Sequence, residues 1–299
     1  MNNNSNIISH ALDNNFVLSD HEEKIRKKDS LSLPIDETLK ILQKLTEFDL
    51  GKFLLHNKGL NGFWTAYVIL EGIRKSNLQS LENWILNKSP IVVATRERFY
   101  IFQEELKKLL KDNMSVASAP CGLMDDLLTI EYSEFSNIKL TGIDLDQESI
   151  EFAKQNAKKR NINAKIDFLT RSAWDLNIVE EFDIIISNGL NIYEPDSTKL
   201  RELYSQFAKA LKPGGYLITS FLTPSPTMSA ESPWKNFSLE DVQKQKAIFA
   251  DILEVAWQTY RTEAETVPMF AESGFKVQNI IYDTQAMFPT IILKKPYSK

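Results

Sequence analysis

Between Met114 and Leu222, short apolar runs alternate with segments of helical pattern, and this alternation limits the possible folds more than any other feature. The period changes from helical to strand-like after Asn113. Strands joined through helices form a mostly parallel sheet, because right-handed crossovers pack the helices on its faces. The sequence therefore predicts an α/β fold with strands at Met114–Ala119, Lys139–Asp144, Lys165–Thr170, Phe182–Asn188 and Gly215–Leu222.

Two more strands are predicted near the C-terminus, at Lys276–Tyr282 and Phe288–Lys294. The connection between them, Asp283–Met287, is too short to hold a crossover helix, so these two strands must pair antiparallel. The complete prediction is a Rossmann-like, seven-stranded, mostly parallel sheet that closes with an antiparallel hairpin, preceded by an N-terminal helical cap.

The chain is predicted to divide into three parts. Residues 1–34 begin with an asparagine-rich segment and are predicted to be a flexible tail and linker. Residues 35–112 show helical apolar spacing throughout and form the predicted cap. Residues 113–299 hold the sheet, with a helical insertion at about 223–262. Within the insertion, Ser238 is predicted to start a long helix that reaches about Arg261.

Composition narrows the classes of function. The 299 residues carry a net charge of -5, which disfavours nucleic-acid binding through a broad basic surface. Cys121 is the only cysteine, so no intrachain disulfide can form and a cytoplasmic location is favoured. No apolar run reaches the roughly 18 residues of a membrane span, and the N-terminus lacks the pattern of a signal peptide. No metal site and no membrane partner are predicted.

The ends of the first two predicted strands carry the groups that a nucleoside ligand needs. A loop of small residues, Ala119–Gly122, follows the first strand, and the second strand ends on Asp144. In α/β proteins such a loop lets a ligand approach the backbone, and a carboxylate about 20 residues later binds the ribose. Gly122 is the single glycine of this loop. The dinucleotide fingerprint G-x-G-x-x-G is therefore missing, which disfavours an NAD-dependent oxidoreductase.

Four strings stand in an order that a known family shows: SAPCG after the first strand, GIDLDQESIEFAKQNA around the second, FDIIISNGLNIYEPD around the fourth and LKPGGYLI before the fifth. Together with the closing hairpin, they resemble the class I S-adenosylmethionine (SAM)-dependent methyltransferases over about Met114–Lys295. The resemblance implies SAM as the cofactor and S-adenosylhomocysteine as its product. It does not extend to residues 1–113 or to the segment 223–262.

The resemblance also implies where the cofactor binds. Asp144 would accept hydrogen bonds from the ribose hydroxyls, Leu145 would lie against the adenine, Asn188 would lie beside the sulfonium, and Arg96 would meet the methionine carboxylate. Ser172 and the backbone after it would contact the adenine. The complete predicted set is Ala119, Pro120, Cys121, Gly122, Asp144, Leu145, Ser172, Ala173, Trp174, Asn188 and Arg96.

The first loop departs from the family pattern, because Ser118 replaces the usual acid, and Pro120 and Met124 replace glycines. Proline removes an N–H and fixes φ, so the loop geometry is expected to differ. Several residues keep an alternative role. Asp144 could cap the next helix, although Asp146 suits that position better. Trp174 could stack on the base or cover its strand.

Two other predicted roles have alternatives. Arg96 could lie on a solvated helix face, and Arg98 could meet the methionine carboxylate in its place. Cys121 is expected to be a buried packing residue, because no histidine lies nearby in sequence to make it a nucleophile.

Few residues in the sequence indicate how the methyl acceptor is bound or activated. A catalytic base is needed only if the acceptor must lose a proton early. Tyr193, just after the fourth strand, and His56, in the helical part, are the predicted catalytic candidates. Trp64 and Tyr67 share one helix face and are predicted to bind the substrate, with core packing as the alternative. The alternative for His56 is a histidine on the surface or at a helix end.

We therefore expect a SAM-dependent methyltransferase that acts on a small or medium-sized molecule enclosed by a helical lid. Its partner would be a small-molecule methyl acceptor. Two alternatives remain open at this point. One is a non-catalytic protein that binds SAM or another nucleoside on the same fold, which the altered first loop favours. The other is a methyltransferase directed at protein or at RNA.

Overall fold

The computed structural model describes residues 18–255 and 259–297. The described residues divide into two compact units. A helical unit contains residues 18–93 and 236–255, and a sheet unit contains residues 94–235 and 259–297. The asparagine-rich start of the predicted tail lies outside the described residues.

The structure contains helices α1 (Leu18–Arg26), α2 (Ile35–Leu45), α3 (Asp49–Asn57), α4 (Gly62–Ala66), α5 (Ser80–Asn87), α6 (Pro90–Leu109), α7 (Asp125–Leu128), α8 (Gln147–Arg160), α9 (Ser197–Ala210), α10 (Leu239–Lys246) and α11 (Glu263–Glu272). Its strands are β1 (Ser115–Ser118), β2 (Lys139–Asp144), β3 (Lys165–Thr170), β4 (Phe182–Ser187), β5 (Leu211–Ser220), β6 (Lys276–Ile281) and β7 (Thr290–Lys294). Tyr67–Glu71 and Ala247–Ile252 form π-helical turns, and Gly72–Arg74 and Leu190–Tyr193 form 3₁₀ turns.

The sheet has seven strands in the order β3-β2-β1-β4-β5-β7-β6. All neighbouring pairs from β3 to β5 are parallel, and β7 is antiparallel to both β5 and β6. This confirms the predicted Rossmann-like sheet with a closing antiparallel hairpin. In the register of the central strands, Ser118 lies beside Gly142 of β2 and Ile186 of β4.

Helices cover both faces of this sheet, which explains why the central strands β1 and β4 are almost entirely buried. One face packs against buried side chains of α9 and α11, among them Tyr204, Phe207 and Phe270. The other packs against α6 and α8 through residues such as Phe102 and Ile150. With both faces closed, the edge formed by the carboxyl ends of the parallel strands is the part of the sheet open to a ligand.

The helical unit unites two segments that are distant in sequence. Lys28 donates from Nζ to the carbonyl oxygen of Asp251 at 2.7 Å, and the backbone N–H of Ser32 donates to the Asp251 carboxylate, also at 2.7 Å. Trp84 donates from its indole to the Asp241 carboxylate at 2.7 Å. The insertion after residue 235 therefore folds with the N-terminal helices rather than with the sheet.

Three elements differ from the prediction by more than two residues. β5 starts at Leu211 rather than Gly215, because Leu211 already pairs with Phe182 before a register shift. The insertion helix starts after Ser238 as predicted, but its last helical turn is Ala247–Ile252 and it does not reach Arg261. The chain turns out of the helix at Glu254, which adopts a left-handed φ of 52°. Finally, α1 forms within the stretch predicted as tail and linker, where it buries Ile25.

None of the helices among residues 18–255 and 259–297 combines the length and the apolar character needed to cross a membrane.

Candidate functional site

The candidate site is the edge of the sheet where β1, β2 and β4 end, at Ser118, Asp144 and Ser187. These strands are neighbours and parallel, so the loops that follow them meet at one edge. The backbone N–H of Ala119 donates to the carbonyl oxygen of Ile186 at 2.9 Å. The loop after β1 is therefore held between the ends of β2 and β4.

The loop after β1 is joined directly to the acid that ends β2. Gly122 has a left-handed φ of 49°, and its backbone N–H donates to Oδ2 of Asp144 at 2.9 Å. The other carboxylate oxygen, Oδ1, accepts the backbone N–H of Asp146 at 3.0 Å. Because each carboxylate oxygen can accept more than one hydrogen bond, Asp144 keeps acceptor capacity for a pair of ribose hydroxyls.

Asp146 performs the capping role that was the alternative for Asp144. Its carboxylate accepts the backbone N–H groups of Glu148 and Ser149, both at 3.1 Å, at the start of α8. Asp144 is therefore not needed to cap this helix. The residue between them, Leu145, leaves 71% of its surface exposed. A large apolar side chain that is exposed beside a carboxylate suits the flat face of a purine.

Cys121 and Met124 pack beneath β2 rather than lining the edge. A Cβ added to Gly142 of β2 would meet both sulfur atoms at 3.1 Å, so the absent side chain of that glycine makes room for them. Burial raises the pKa of the Cys121 thiol. Cys121 is therefore placed as a packing residue, as the sequence suggests, and its contribution to a ligand would come from the backbone.

Met124 takes the backbone conformation of the glycine that it replaces. Its φ is 60°, in the left-handed region that favours glycine, and its side chain is fully buried. The peptide bond between Ala119 and Pro120 is cis. The departures of this loop from the family pattern thus leave Gly122 bonded to Asp144.

Ser118, which stands where the family has an acid, is hydrogen-bonded to an acid of α7. Ser118 donates from Oγ to Oδ2 of Asp126 at 2.6 Å, and both residues are buried. Burial raises the pKa of Asp126 to about 7. Asp126 was not singled out from the sequence. The signal for it was an acid pair, Asp125-Asp126, at the start of a short apolar helix beside the loop.

The predicted site residues after β3 make their hydrogen bonds within the protein. The backbone N–H of Trp174 donates to Ser172 Oγ at 3.2 Å, and its indole donates to the carbonyl oxygen of Lys199 at 3.0 Å. Ala173 is buried. The indole packs against the core on the α9 side, which favours the covering role over stacking on a base.

The loop after β4 is anchored to β5 by a residue that the sequence did not identify. Asn191, which is buried, donates from Nδ2 to the carbonyl oxygen of Ser220 at 2.6 Å and to the hydroxyl of Tyr204 at 3.1 Å. This fixes the path of Asn188 and Gly189, where φ is 93°. Tyr193 ends the same loop with 55% of its surface exposed, so its hydroxyl is available to a ligand.

Arg98, one of the two arginines considered for the methionine carboxylate of the cofactor, contacts the end of β5 at this edge of the sheet. Its Nη1 donates to Oγ of Ser220 at 3.3 Å, and its guanidinium lies 4.4 Å from the ring centroid of Phe288. Arg96 lies two residues earlier on α6, about 200° away around the helix. Arg96 is half-buried, and burial lowers its pKa.

The remaining predicted residues belong to the helical unit. Trp64 and Tyr67 are buried there in an edge-to-face pair with centroids 5.1 Å apart, and Tyr67 donates to Glu82 Oε1 at 2.6 Å. These contacts favour the packing role considered for both residues, and their contact with an acceptor stays a prediction. His56 is exposed in the last turn of α3. Across residues 18–255 and 259–297, no group of His, Cys, Asp and Glu could hold a metal ion.

Comparison with known proteins gives a family for the sheet unit. A family model described as a methyltransferase domain matches residues 99–278, which is more than half of the chain. A ribosomal protein L11 methyltransferase from Dictyoglomus thermophilum is 29% identical over 117 residues, or 39% of this chain and 35% of that protein. The alignment thus spans about a third of the length of that relative.

Solved structures extend the comparison. The structure of a possible exported protein from Bordetella parapertussis is 34% identical and covers 98% of this chain and 96% of its own, with a TM-score of 0.87. The [4+2]-cyclase SpnF is 12% identical over 66% of this chain and 81% of its own, with a TM-score of 0.51. The second likeness shows a shared fold alone.

Proposed function

Because this chain belongs to the class I SAM-dependent methyltransferases, we propose that it transfers a methyl group to a small or medium-sized acceptor. The observation that carries the proposal is the direct hydrogen bond between the first loop and the acid of β2, from Gly122 to Asp144. When bound, SAM supplies an activated methyl group on a sulfonium and leaves as S-adenosylhomocysteine. The protein has to bind it, align it with the acceptor and exclude water.

The geometry of the edge supports the proposed cofactor contacts. Asp144 would accept the ribose hydroxyls with the capacity that Gly122 and Asp146 leave, and exposed Leu145 would cover one face of the adenine. The buried Oδ1 of Asn188 has no hydrogen-bond partner among the described residues, so it is available to a ligand. The roles of Ser172 and of Arg96 remain predictions from the family resemblance.

Calorimetric titration with SAM and with S-adenosylhomocysteine tests the cofactor site. We expect both to bind, because the family uses SAM and because the hydrogen bond from Gly122 to Asp144 joins the two segments that would hold it. Transfer of tritium from methyl-labelled SAM to a small-molecule extract then tests the reaction. Binding of the cofactor without transfer to any small molecule would contradict the proposed acceptor class.

Tyr193 is the proposed catalytic residue at the edge of the sheet, because its exposed hydroxyl follows the loop after β4. His56 is the second proposal, and it would require the helical unit to take part in the reaction. Changing Tyr193 to Phe should slow transfer while cofactor affinity is unchanged. An unaltered rate in that variant would remove Tyr193 from the proposal and leave His56 as the candidate.

We also propose that the helical unit serves as the lid over the acceptor. Its support is that two distant segments of the chain fold together into one unit, tied by Lys28 to Asp251 and by Trp84 to Asp241. Hydrogen exchange with and without S-adenosylhomocysteine tests this role. A lid should show slower exchange in its helices when the ligand is bound, and unchanged exchange throughout the unit would refute it.

A protein acceptor is the second candidate, favoured by the relative that is named a ribosomal protein L11 methyltransferase. Purified L11 and labelled SAM give a direct test, with bovine serum albumin as the control protein. Selective labelling of L11 would replace the small-molecule proposal.

A cytoplasmic location is also proposed, from the single cysteine. The Bordetella relative is described as a possible exported protein, which is the contrasting location. Cell fractionation distinguishes the two.

A further inference from the structure

Arg98 is a buried cation that forms no ion pair with any carboxylate in the described part of the chain. Only 7% of its surface is exposed, and among the described residues its one hydrogen bond is to Oγ of Ser220. Nε has no partner within the described part of the chain. A guanidinium carries five N–H donors, so most of its hydrogen-bonding capacity is unused. Burial lowers the pKa of Arg98 to about 10, so the side chain remains charged at neutral pH.

The nearby acid is already engaged elsewhere. Asp283 is buried, and its carboxylate accepts the backbone N–H groups of Gln285, Met287 and Phe288 at 3.0, 3.3 and 2.6 Å. It shapes the connection between β6 and β7 and makes no ion pair with Arg98. The Phe288 ring, 4.4 Å from the guanidinium, offsets part of the cost of burying the charge.

The position of Arg98 separates it from the nucleoside side of the edge. Arg98 contacts Ser220, the last residue of β5, whereas Asp144 ends β2. β1 and β4 lie between these strands, so the two strands are three spacings apart, about 14 Å. Gly189, just after β4, is the other neighbour, since a Cβ there would lie 3.6 Å from Nη2 of Arg98.

We propose that Arg98 binds a carboxylate of the methyl acceptor, so that the acceptor is a small organic acid. This inference rests on the proposed function, because it assigns the acceptor of that same site. The fork of a guanidinium matches the two oxygens of a carboxylate. The exposed Tyr193 lies on the same loop as Gly189 and would face the acceptor held there.

Benzoate and benzamide are the probes for this site, because they have nearly the same shape and differ in charge. Calorimetric titration of the protein saturated with S-adenosylhomocysteine should show benzoate binding at least about tenfold more tightly than benzamide. Arg98→Gln should abolish that preference, and Arg98→Lys should keep part of it. Lys107→Gln removes an exposed positive charge from the same helix and is the matched control, which should behave as the wild type. Equal binding of benzoate and benzamide to the wild type, or a preference that survives in Arg98→Gln, would overturn the proposal.

A second titration separates an acceptor site from the methionine carboxylate of the cofactor. S-adenosylhomocysteine carries that carboxylate, and 5′-methylthioadenosine lacks it. We expect Arg98→Gln to bind both as the wild type does, within about twofold, which also shows that the variant is folded. Weaker binding of S-adenosylhomocysteine alone would assign Arg98 to the cofactor and overturn the proposal, while leaving the proposed function intact. Failure of the wild type to bind S-adenosylhomocysteine would instead count against the proposed function.

Discussion

At the scale of the residue, the site depends on a few backbone donors directed at one carboxylate. Asp144 receives an N–H from Gly122 on one oxygen and an N–H from Asp146 on the other. The sequence identified Asp144 because strand ends and a following acid can be recognised from pattern alone. It could not identify Asp126, because pairing with Ser118 depends on how α7 folds back toward β1.

Replacing Asp144 with Ala should weaken binding of S-adenosylhomocysteine by about 1.5–3 kcal/mol, which is typical for hydrogen bonds to a charged group. Titration calorimetry measures this effect. The matched control is Asp146→Ala, which removes the cap of α8 and should lower the free energy of unfolding by about 0.5–2 kcal/mol. That control should leave ligand affinity unchanged. An Asp144→Ala variant that binds as the wild type does would show that another acid holds the ribose.

Asp126 should make stability depend on pH. Burial raises its pKa from 3.8 to about 7, so the folded state binds its proton more tightly than the unfolded state does. The stability that this group contributes is fully present below pH 3.8 and is lost as pH rises to about 7. Relative to the wild type, Asp126→Asn should therefore gain stability across that window and stay level above it.

Urea unfolding of both proteins between about pH 4 and 8 measures the difference that Asp126 makes, because the effects of the other acids are shared. A difference that is the same at every pH would mean that folding does not raise the pKa of Asp126.

At the scale of the element, the spacing of apolar residues predicted which segments are strands and which are helices. It predicted the boundaries of these elements less well. β2, β3 and α8 have their predicted bounds, since apolar spacing and a capping acid mark them in the sequence. β5 starts early because Leu211 pairs with Phe182, a contact between strands that no local pattern encodes. The insertion helix ends at Ile252, and Glu254, just beyond it, has a left-handed φ.

Gly142 shows how closely β2 and the first loop pack. A Cβ there would lie 3.0 Å from Phe168 and 3.1 Å from the sulfur atoms of Cys121 and Met124. Gly142→Ala should therefore lower the free energy of unfolding by about 1–3 kcal/mol through overpacking. Adding Cys121→Ala removes one of the crowding atoms and should recover part of that loss. A double variant whose loss equals the sum of the two single losses would contradict this packing, as urea titration can establish.

At the scale of the whole molecule, the chain folds into two compact units. The sequence resembles a known family in only one of them, the sheet unit. The sheet unit carries the strings that the family shares, whereas the helical unit consists of amphipathic helices whose spacing says little about function. The sequence also placed the whole insertion, at about 223–262, within the methyltransferase domain. In the structure its residues 236–255 belong with the N-terminal helices, through contacts such as Gln245 with Ser89.

Heating should unfold the two units separately, as is common for chains with more than one compact unit. At a hundredfold excess over its dissociation constant, S-adenosylhomocysteine should stabilise the sheet unit by about 2.7 kcal/mol. Gln245→Ala should weaken the helical unit instead, because Gln245 Oε1 accepts hydrogen bonds from Ser89 Oγ and from the Ile91 N–H. Differential scanning calorimetry would show each change in its own transition. A single transition that responds to both would mean that the units unfold together.

The helical unit consists of two segments separated in sequence by most of the sheet unit, and this order has a consequence for biosynthesis. The helices up to Val93 are made first, but the segment that completes their unit begins at Asn236, some 140 residues later. At translation rates of about 5–20 residues per second, the ribosome needs roughly 7–30 s to reach it. For that interval the nascent helices lack the buried partners Ile248 and Ile252. We therefore expect the N-terminal third of this protein to stay incompletely folded, and open to chaperones that bind during translation, until most of the sheet has been made.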